Sequence, residues 1–351
     1  MSLTRITATD AASTIDSFDA IIDARSESEY AEDRLPGALN WPSLHDEERR
    51  IVGTQYKQVS DFEARKIGAA MVARNIAAHL EREARDQPRG WRPLVYCWRG
   101  GKRSGALALV LDQIGFRVHV LEGGYKAFRA AVVADLDALP RTLEFRVVCG
   151  RTGSGKTRLL HALACEGAQV LDLEDLAQHR ASVLGLVPGH SQPTQKAFET
   201  HIWNVLRRFD ASRPVYVESE SKKIGNLRVP EALIEQMRSR SSCLRVEMPD
   251  EARVQLLLED YAFFASDPEL FCRQLDALIE LRGREAVSEW QAAARAGRWA
   301  EVCADLMHHH YDPLYLKSMQ RNFSGFDLAV PVHLADGSPA SLSEVAKRLV
   351  R

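Results

Sequence analysis

No C-x-x-C pair occurs in this sequence of 351 residues, and its cysteines, at positions 97, 149, 165, 243, 272 and 303, are scattered. That spacing excludes the disulfide framework of a small secreted domain and suits a reducing cytoplasm. No apolar run approaches the length of a bilayer span, and the polar first residues contain no apolar stretch of a secretory leader. Neither membrane insertion nor export is therefore expected, and the cytoplasm is the expected location. Net charge is also lacking: 46 basic residues stand against 48 acidic ones, a balance of −2. This excludes a globally basic nucleic-acid binder and leaves room for local basic faces. Internal repeats and low-complexity tracts are absent as well. What remains, 45% hydrophobic and 27% charged, is a globular composition long enough for about two domains.

One stretch concentrates chemistry. Leu94-Val95-Tyr96 reads as the end of a buried strand and Ser104 to Leu111 as the start of a helix. Between them lies Cys97-Trp98-Arg99-Gly100-Gly101-Lys102-Arg103. A thiol followed by two glycines and three cations would face backbone N–H groups and a helix N-terminus, a setting that favours thiolate and holds an anionic adduct. Cys97, Arg99, Gly100, Gly101, Lys102, Arg103 and Ser104 are thus candidate catalytic residues. Trp98 would either stack on a base or pack against the loop.

Upstream, Ala20 to Arg25 reads as a short strand, Ser26 to Ala31 as a helical turn, and Arg34 to Pro42 as turns around a short strand. Phe62 to Arg85 predicts an amphipathic surface helix. Val118 to Leu121 is a strand, and Glu122-Gly123-Gly124-Tyr125 turns into a helix. Strands alternating with helices imply a mainly parallel sheet covered on both faces. Ile22-Asp23-Ala24-Arg25 with Glu29-Tyr30, Leu35 to Asn40, the Cys97 loop and Leu121 to Tyr125 together resemble the ordered signatures of the rhodanese family. That resemblance implies that Cys97 bears a transferable sulfur or selenium.

A junction is expected near Asp135 to Arg141, giving domains 1–138 and 139–351. Beyond it, the strand Glu144 to Cys149 runs into Gly150-Arg151-Thr152-Gly153-Ser154-Gly155-Lys156-Thr157, and a helix follows from Arg158 to Cys165. This is a complete G-x-x-x-x-G-K-T loop in its strand-to-helix context. Its N–H groups would cradle a diphosphate or triphosphate, Lys156 would reach terminal oxygens, and Thr157 would ligate Mg²⁺. Strands from Gln169 and Pro214 end near Asp172 and Glu218. Ligands of open α/β sheets sit beyond such ends, so each acid either serves Mg²⁺ or the acceptor, or merely closes a strand. No guanine-specific motif is present and no adenine pocket can be located.

Six cations against two acids give +4 between Val95 and Arg129, and four unopposed cations give +4 between Phe145 and Arg158. Arg207, Arg208, Lys222, Lys223 and Arg228 are further candidates for nucleic-acid phosphates, with solvated charge as the default. Glu251 to Leu306 is helical by pattern, and Tyr261, Phe263, Phe264, Leu270 and Phe271 form either core or an apolar ligand cleft. Consecutive residues His308, His309 and His310 point in different directions on a helix and make a poor metal site.

The combination resembles the bacterial tRNA 2-selenouridine synthases. Further matches are Ser191 to Glu199, Val217 to Gly225, and His310-Tyr311-Asp312-Pro313-Leu314-Tyr315. The resemblance covers about Ala20 to Ser318. It implies an α/β chain, with an N-terminal rhodanese-like parallel-sheet domain followed by a P-loop NTPase-like α/β domain with a helical C-terminal part. The activity implied replaces the sulfur of wobble 2-thiouridine with selenium through S-geranyl-2-thiouridine. Its cosubstrates are geranyl diphosphate and selenophosphate. The implied partners are the anticodon region of tRNA and, as a candidate, a selenophosphate-supplying enzyme; no tightly bound cofactor is expected. Two other readings stay open at this point: an ATP-dependent rhodanese-type sulfurtransferase, and a nucleotide-gated rhodanese-fold binding module.

Overall fold

Ala20-Ile21-Ile22-Asp23 and Pro93-Leu94-Val95-Tyr96 are too short for helices and apolar on both faces, and they form the inner strands of a parallel sheet. The computed structural model describes residues 3–179 and 191–351. The chain divides into two compact units: Met1–Asp135 with Thr194–Asn204, and Leu136–Pro193 with Val205–Arg351.

In the first unit, strands β1 (Thr4–Ile6), β2 (Ala20–Asp23), β3 (Ala38–Asn40), β4 (Pro93–Tyr96) and β5 (His119–Leu121) lie in the order β1-β5-β4-β2-β3. Every pairing is parallel, so each connection must cross over. Helices Asp46–Gln58 and Asp61–His79 make the crossover from β3 to β4, and Lys102–Ile114 that from β4 to β5. The last of these stops at Gly115, whose φ of +108° suits a left-handed cap. Ile22, Val95, Cys97, Leu107 and Leu111 share one core cluster.

The expected amphipathic surface helix over Phe62 to Arg85 is present, with a change of helix type near its end. It runs as Asp61–His79 and continues into a π-helical turn, Leu80–Ala84. Its inner face is buried, because Asn75 Nδ2 donates to the Ser43 carbonyl and His79 Nε2 to the Pro42 carbonyl at 3.0 Å.

In the second unit, β6 (Phe145–Gly150), β7 (Gln169–Leu171), β8 (Val215–Glu218), β11 (Ser242–Glu247) and β12 (Val330–His333) form a parallel sheet in the order β12-β11-β6-β8-β7. A small antiparallel hairpin, β9 (Lys223–Ile224) and β10 (Leu227–Arg228), follows β8. Strands β1, β11 and β12 were not anticipated, since their polar residues hide the apolar run; β11 is nonetheless enclosed between β6 and β12. Helices account for most of residues 250–306.

Sequence order had put Thr194–Asn204 in the second domain, yet this segment packs with the first unit. Its helix, Gln195–Leu206, buries Trp203 completely against Phe128, with the rings edge to face at 5.3 Å. Trp203 Nε1 donates to Asp135 at 2.8 Å, Thr200 Oγ1 to Asp33 at 3.0 Å, and Lys196 pairs with Glu32. Among the described residues no helix is long and apolar enough to cross a membrane.

Gly124 shows how closely the Cys97 loop is held. A Cβ there would stand 2.2 Å from the Cys97 carbonyl oxygen and 2.4 Å from Gly100 N, at a φ of +58°. Left-handed backbone alone costs an L residue about 1–2 kcal/mol, and the obstructing atoms are backbone. Gly124→Ala is therefore expected to lower stability by about 2 kcal/mol or more in urea unfolding. It is also expected to speed alkylation of Cys97 by iodoacetamide; unchanged stability and reactivity would contradict this account.

Candidate active sites

Cys97 directly follows β4 and is 3% exposed, so its thiol sits below the loop surface. Ser104 Oγ, in the first turn of Lys102–Ile114, lies 3.1 Å from Cys97 Sγ and can donate to it. The Cys97 carbonyl accepts from Tyr125 N at 2.8 Å and the Trp98 carbonyl from Lys126 N at 3.0 Å. Gly100 has a φ of +64°, and a Cβ there would meet the Leu121 carbonyl at 2.6 Å. Arg99 and Lys102 are exposed, while Arg103 turns back to Glu29 at 2.7 Å. Trp98 packs on Tyr125, ring centroids 5.4 Å apart, and remains partly exposed.

Beneath the loop is a buried polar network. Arg25, 1% exposed, makes several bonds to Asp23 and donates to the Asp33 carbonyl at 2.6 Å. Burial opposes its charge, but bonding to Asp23 prevails and raises its pKa above the ordinary value. Tyr96 OH donates to Asp23 at 2.8 Å and Tyr125 OH to Asp33 at 2.7 Å. Both phenols are pushed up, by burial first and then by the neighbouring carboxylate. The two tyrosines thus tie β4 and the Tyr125 turn, which flank Cys97, to one set of buried charges.

In the second unit, Gly150 to Thr157 connects β6 to helix Lys156–Cys165, with Gly153 at φ +75° and Gly155 at φ +80°. Arg151, Thr152, Lys156 and Thr157 are partly exposed along it, and Ser154 is buried. Lys156 Nζ lies 3.5 Å from the Arg151 carbonyl and 5.5 Å from the Tyr315 ring. Two supports were missed by sequence reasoning. Tyr315 OH accepts from Gly150 N at 2.5 Å and bonds Ser219 at 3.1 Å. Arg253, fully buried, donates to the Thr152 carbonyl at 3.0 and 2.6 Å and to Asp312 at 2.9 and 2.6 Å. The His310 to Tyr315 run carried the signal for Asp312 and Tyr315; nothing local marked Arg253.

The two candidate acids part company. Asp172 caps helix Leu173–Ala177 through Asp175 N and faces His161 at 2.9 Å. Glu218 accepts from Thr157 Oγ1 at 3.1 Å and lies with Glu174 and Glu220 in a group whose carboxylate oxygens fall within 4.8 Å of one another. Burial, then the charge of Glu174, pushes Glu218 up to about 8, and burial likewise raises Glu220.

A cleft of about 620 Å³ opens over this loop, lined by Gly153, Lys156, Thr157, Glu218, Tyr311 and Tyr315 among others. An apolar cavity of about 460 Å³ adjoins it; Thr152, Leu257, Tyr261 and Tyr311 belong to both walls. Phe264 and Phe271 line that cavity and are also core, whereas Phe263 and Leu270 only pack against the core. Trp299, Cys303 and Met307 complete it, none of which sequence reasoning had selected.

The charge counts need correction. Arg103 is paired with Glu29, Arg129 with Glu199, Arg151 with Asp250 and Asp312, and Arg158 with Asp260. These acids come from distant sequence, so both basic loops are less positive than their residues suggest. Of the other candidate cations, Lys222 pairs with Glu231 at the surface. His310 accepts from Arg282 Nε at 2.9 Å while His308 faces Asp250, so those rings have separate partners.

Two family models match successive parts of the chain. The family model for the tRNA 2-selenouridine synthase AAA domain matches residues 143–274, and the Rhodanese-like domain model matches residues 7–131. A tRNA 2-selenouridine synthase of Nitrosomonas europaea is 32% identical, covering 86% of this chain and 89% of its own. One from Alcanivorax borkumensis is 36% identical over 69% of this chain and 66% of its own. Among solved structures, a rhodanese-related protein from Thermoplasma volcanium is 18% identical with a TM-score of 0.25, covering 36% of this chain and 92% of that one.

The buried pair predicts its own mutational signature. Arg253→Met leaves Asp312 with the part-exposed Arg151 alone and the Thr152 carbonyl without its guanidinium donor, and is expected to cost about 3 kcal/mol in denaturant unfolding. Adding Asp312→Asn should recover part of that loss; strict additivity would argue against the coupling. The glutamates predict a pH response. A carboxyl with a folded pKa above its unfolded value contributes stability below the unfolded pKa and loses it as pH rises through the folded one. In the presence of chelator, the unfolding midpoint should therefore fall from about pH 5 through about 8, and Glu218→Gln should flatten part of that slope.

Proposed function

As the chain belongs to the tRNA 2-selenouridine synthase family, we propose that it converts 2-thiouridine of tRNA to 2-selenouridine through an S-geranyl intermediate, with geranyl diphosphate and selenophosphate as cosubstrates. The family is one of tRNA-modifying enzymes, and tRNA is the substrate that the name of its members specifies. The observation that carries the finer reading is the apolar cavity sharing a wall with the phosphate-loop cleft. A diphosphate on Gly150 to Thr157 leaves an attached isoprenoid beside Thr152, Leu257, Tyr261 and Tyr311. A nucleotide in the same place would set its base and ribose against an almost wholly apolar wall.

In the first step the thiocarbonyl sulfur attacks the allylic carbon. The C–O bond breaks with its electrons leaving on diphosphate, and the uridine N3 proton passes to solvent. Lys156 and the loop N–H groups stabilise the departing charge. In the second step the selenium of selenophosphate adds to C2, the C2–S bond breaks and the thiolate takes a proton from solvent to leave as geranylthiol, and water cleaves the Se–P bond to release phosphate. Cys97 positions that selenium for attack, with Ser104 Oγ holding the Cys97 sulfur at 3.1 Å. Anticodon phosphates would meet the cations left uncommitted at the Cys97 loop, Arg99 and Lys102.

The oxygen donors of Glu174, Glu218 and Glu220, with the Thr157 hydroxyl beside them, fit a hard cation such as Mg²⁺. Those residues would hold it, and its charge would help to neutralise the diphosphate.

Products analysed by mass spectrometry separate the two sites. Cys97→Ser is expected to accumulate S-geranyl-2-thiouridine without 2-selenouridine, whereas Lys156→Ala should stop at 2-thiouridine. Pre-geranylated tRNA should restore selenation to the Lys156 variant alone, with circular dichroism showing both variants folded. Selenation at the parental rate by Cys97→Ser, or tight ATP binding and hydrolysis indifferent to geranyl diphosphate, would overturn the proposal.

A further inference from the structure

The first unit holds a second large apolar cavity, of about 700 Å³, between helices Asp46–Gln58, Asp61–His79 and Lys102–Ile114. Val52, Ala69, Val72, Ala73, Ala106 and Val110 are typical of its walls. Gly68 keeps two of these helices close, since a Cβ there would touch Val52 at 3.3 Å. Leu109, on the same wall, is 52% exposed. The cavity begins at the Cys97 loop: Lys102 and Arg103 line it and form the first turn that also carries Ser104, the neighbour of Cys97 Sγ. Leu44 lines it too, and the adjacent Ser43 Oγ donates to the Arg103 carbonyl at 3.2 Å. From Lys102 to Val110 the lined helix face runs about 12 Å at the helical rise.

We propose that this cavity receives the isoprenoid tail of an S-alkylated thiouridine while its ring is presented to Cys97. The inference rests on the reading of Cys97 as the selenation site and of the geranyl thioether as its substrate. The thioether differs from its thiouridine precursor chiefly by an apolar chain, so discrimination at the second step must come from apolar surface. A tail left in water during that step would forgo this binding energy. The mouth suits a nucleic acid carrying such a tail: Lys102 is exposed, with no ion-pair partner among the described residues, and stands where a phosphate would approach. A protein partner or a second copy of the chain is the competing occupant.

The test uses full-length protein and anticodon stem-loop RNAs carrying S-geranyl-, S-methyl- or unalkylated 2-thiouridine, with selenophosphate for selenation and geranyl diphosphate for geranylation. Wild type is expected to selenate the geranyl RNA with a KM at least about tenfold below that for the methyl RNA. Ala106→Trp, which fills the cavity, and Leu109→Lys, at an exposed position that tolerates charge, should abolish that preference. Geranylation of the thiouridine RNA should remain unchanged in both. If wild type selenates neither alkylated RNA, the reading of the Cys97 site fails. If wild type prefers geranyl RNA and both variants keep the preference, that reading stands and the cavity is not the tail site. Equal losses on geranyl and methyl RNA, or a variant-induced change in oligomeric state by light scattering without loss of preference, would likewise overturn the assignment.

Discussion

An arginine buried against carboxylates underlies each loop to which chemistry is assigned. Arg25 bonds Asp23 and the Asp33 carbonyl in the first unit; Arg253 bonds Asp312 and the Thr152 carbonyl in the second. Each loop leaves the end of a parallel strand with backbone groups that no ladder can satisfy, and a guanidinium offers several donors in a fixed plane. Removing one partner from such a pair leaves an uncompensated buried charge, a loss of about 3–5 kcal/mol. In the second unit loop geometry is thereby bound to stability, because the guanidinium that pairs with Asp312 also holds the Thr152 carbonyl of the cradle.

Arginine and lysine divide the work along these loops. Arg103, Arg129, Arg151 and Arg158 are committed to carboxylates, whereas Lys102 and Lys156 have no ion pair among the described residues. Planar guanidinium groups suit fixed bidentate pairing, and ammonium groups on flexible stems suit a ligand that arrives and departs. Each unit also sets an apolar cavity directly beside its cationic loop. This juxtaposition suits a molecule charged at one end and hydrocarbon at the other, because neither end then pays the desolvation or exposure cost alone.

Thr194–Asn204, which holds most of the helix Gln195–Leu206, belongs to the first unit although the strands around it in sequence, β7 and β8, belong to the second. Its Thr200 and the Tyr125 phenol both donate to Asp33. The backbone of Tyr125 in turn bonds the Cys97 carbonyl. A segment that lies in sequence between two strands of the phosphate-loop sheet, yet belongs to the first unit, therefore helps to hold the thiol loop of that unit.

Strand, glycine-rich turn and helix N-terminus succeed one another within about ten residues at both loops, and local backbone chemistry suffices to define them. For that reason Cys97 to Ser104, Gly150 to Thr157, the parallel α/β class and the two-part organisation were legible from the amino-acid order. The supports were not. Arg253 reaches Thr152 across 101 residues, Tyr315 reaches Gly150 across 165, and Thr200 reaches Asp33 across 167. Neither residue of such a pair carries a local mark of its partner. The same holds for Glu174 and Glu220 beside Glu218, for the neutralised arginines, and for both cavities, whose walls come from separate helices. Periodicity established which faces of those helices are apolar; only the packing decided which apolar surface closed into core and which was left open beside a charged loop, because that depends on how helices remote in sequence meet.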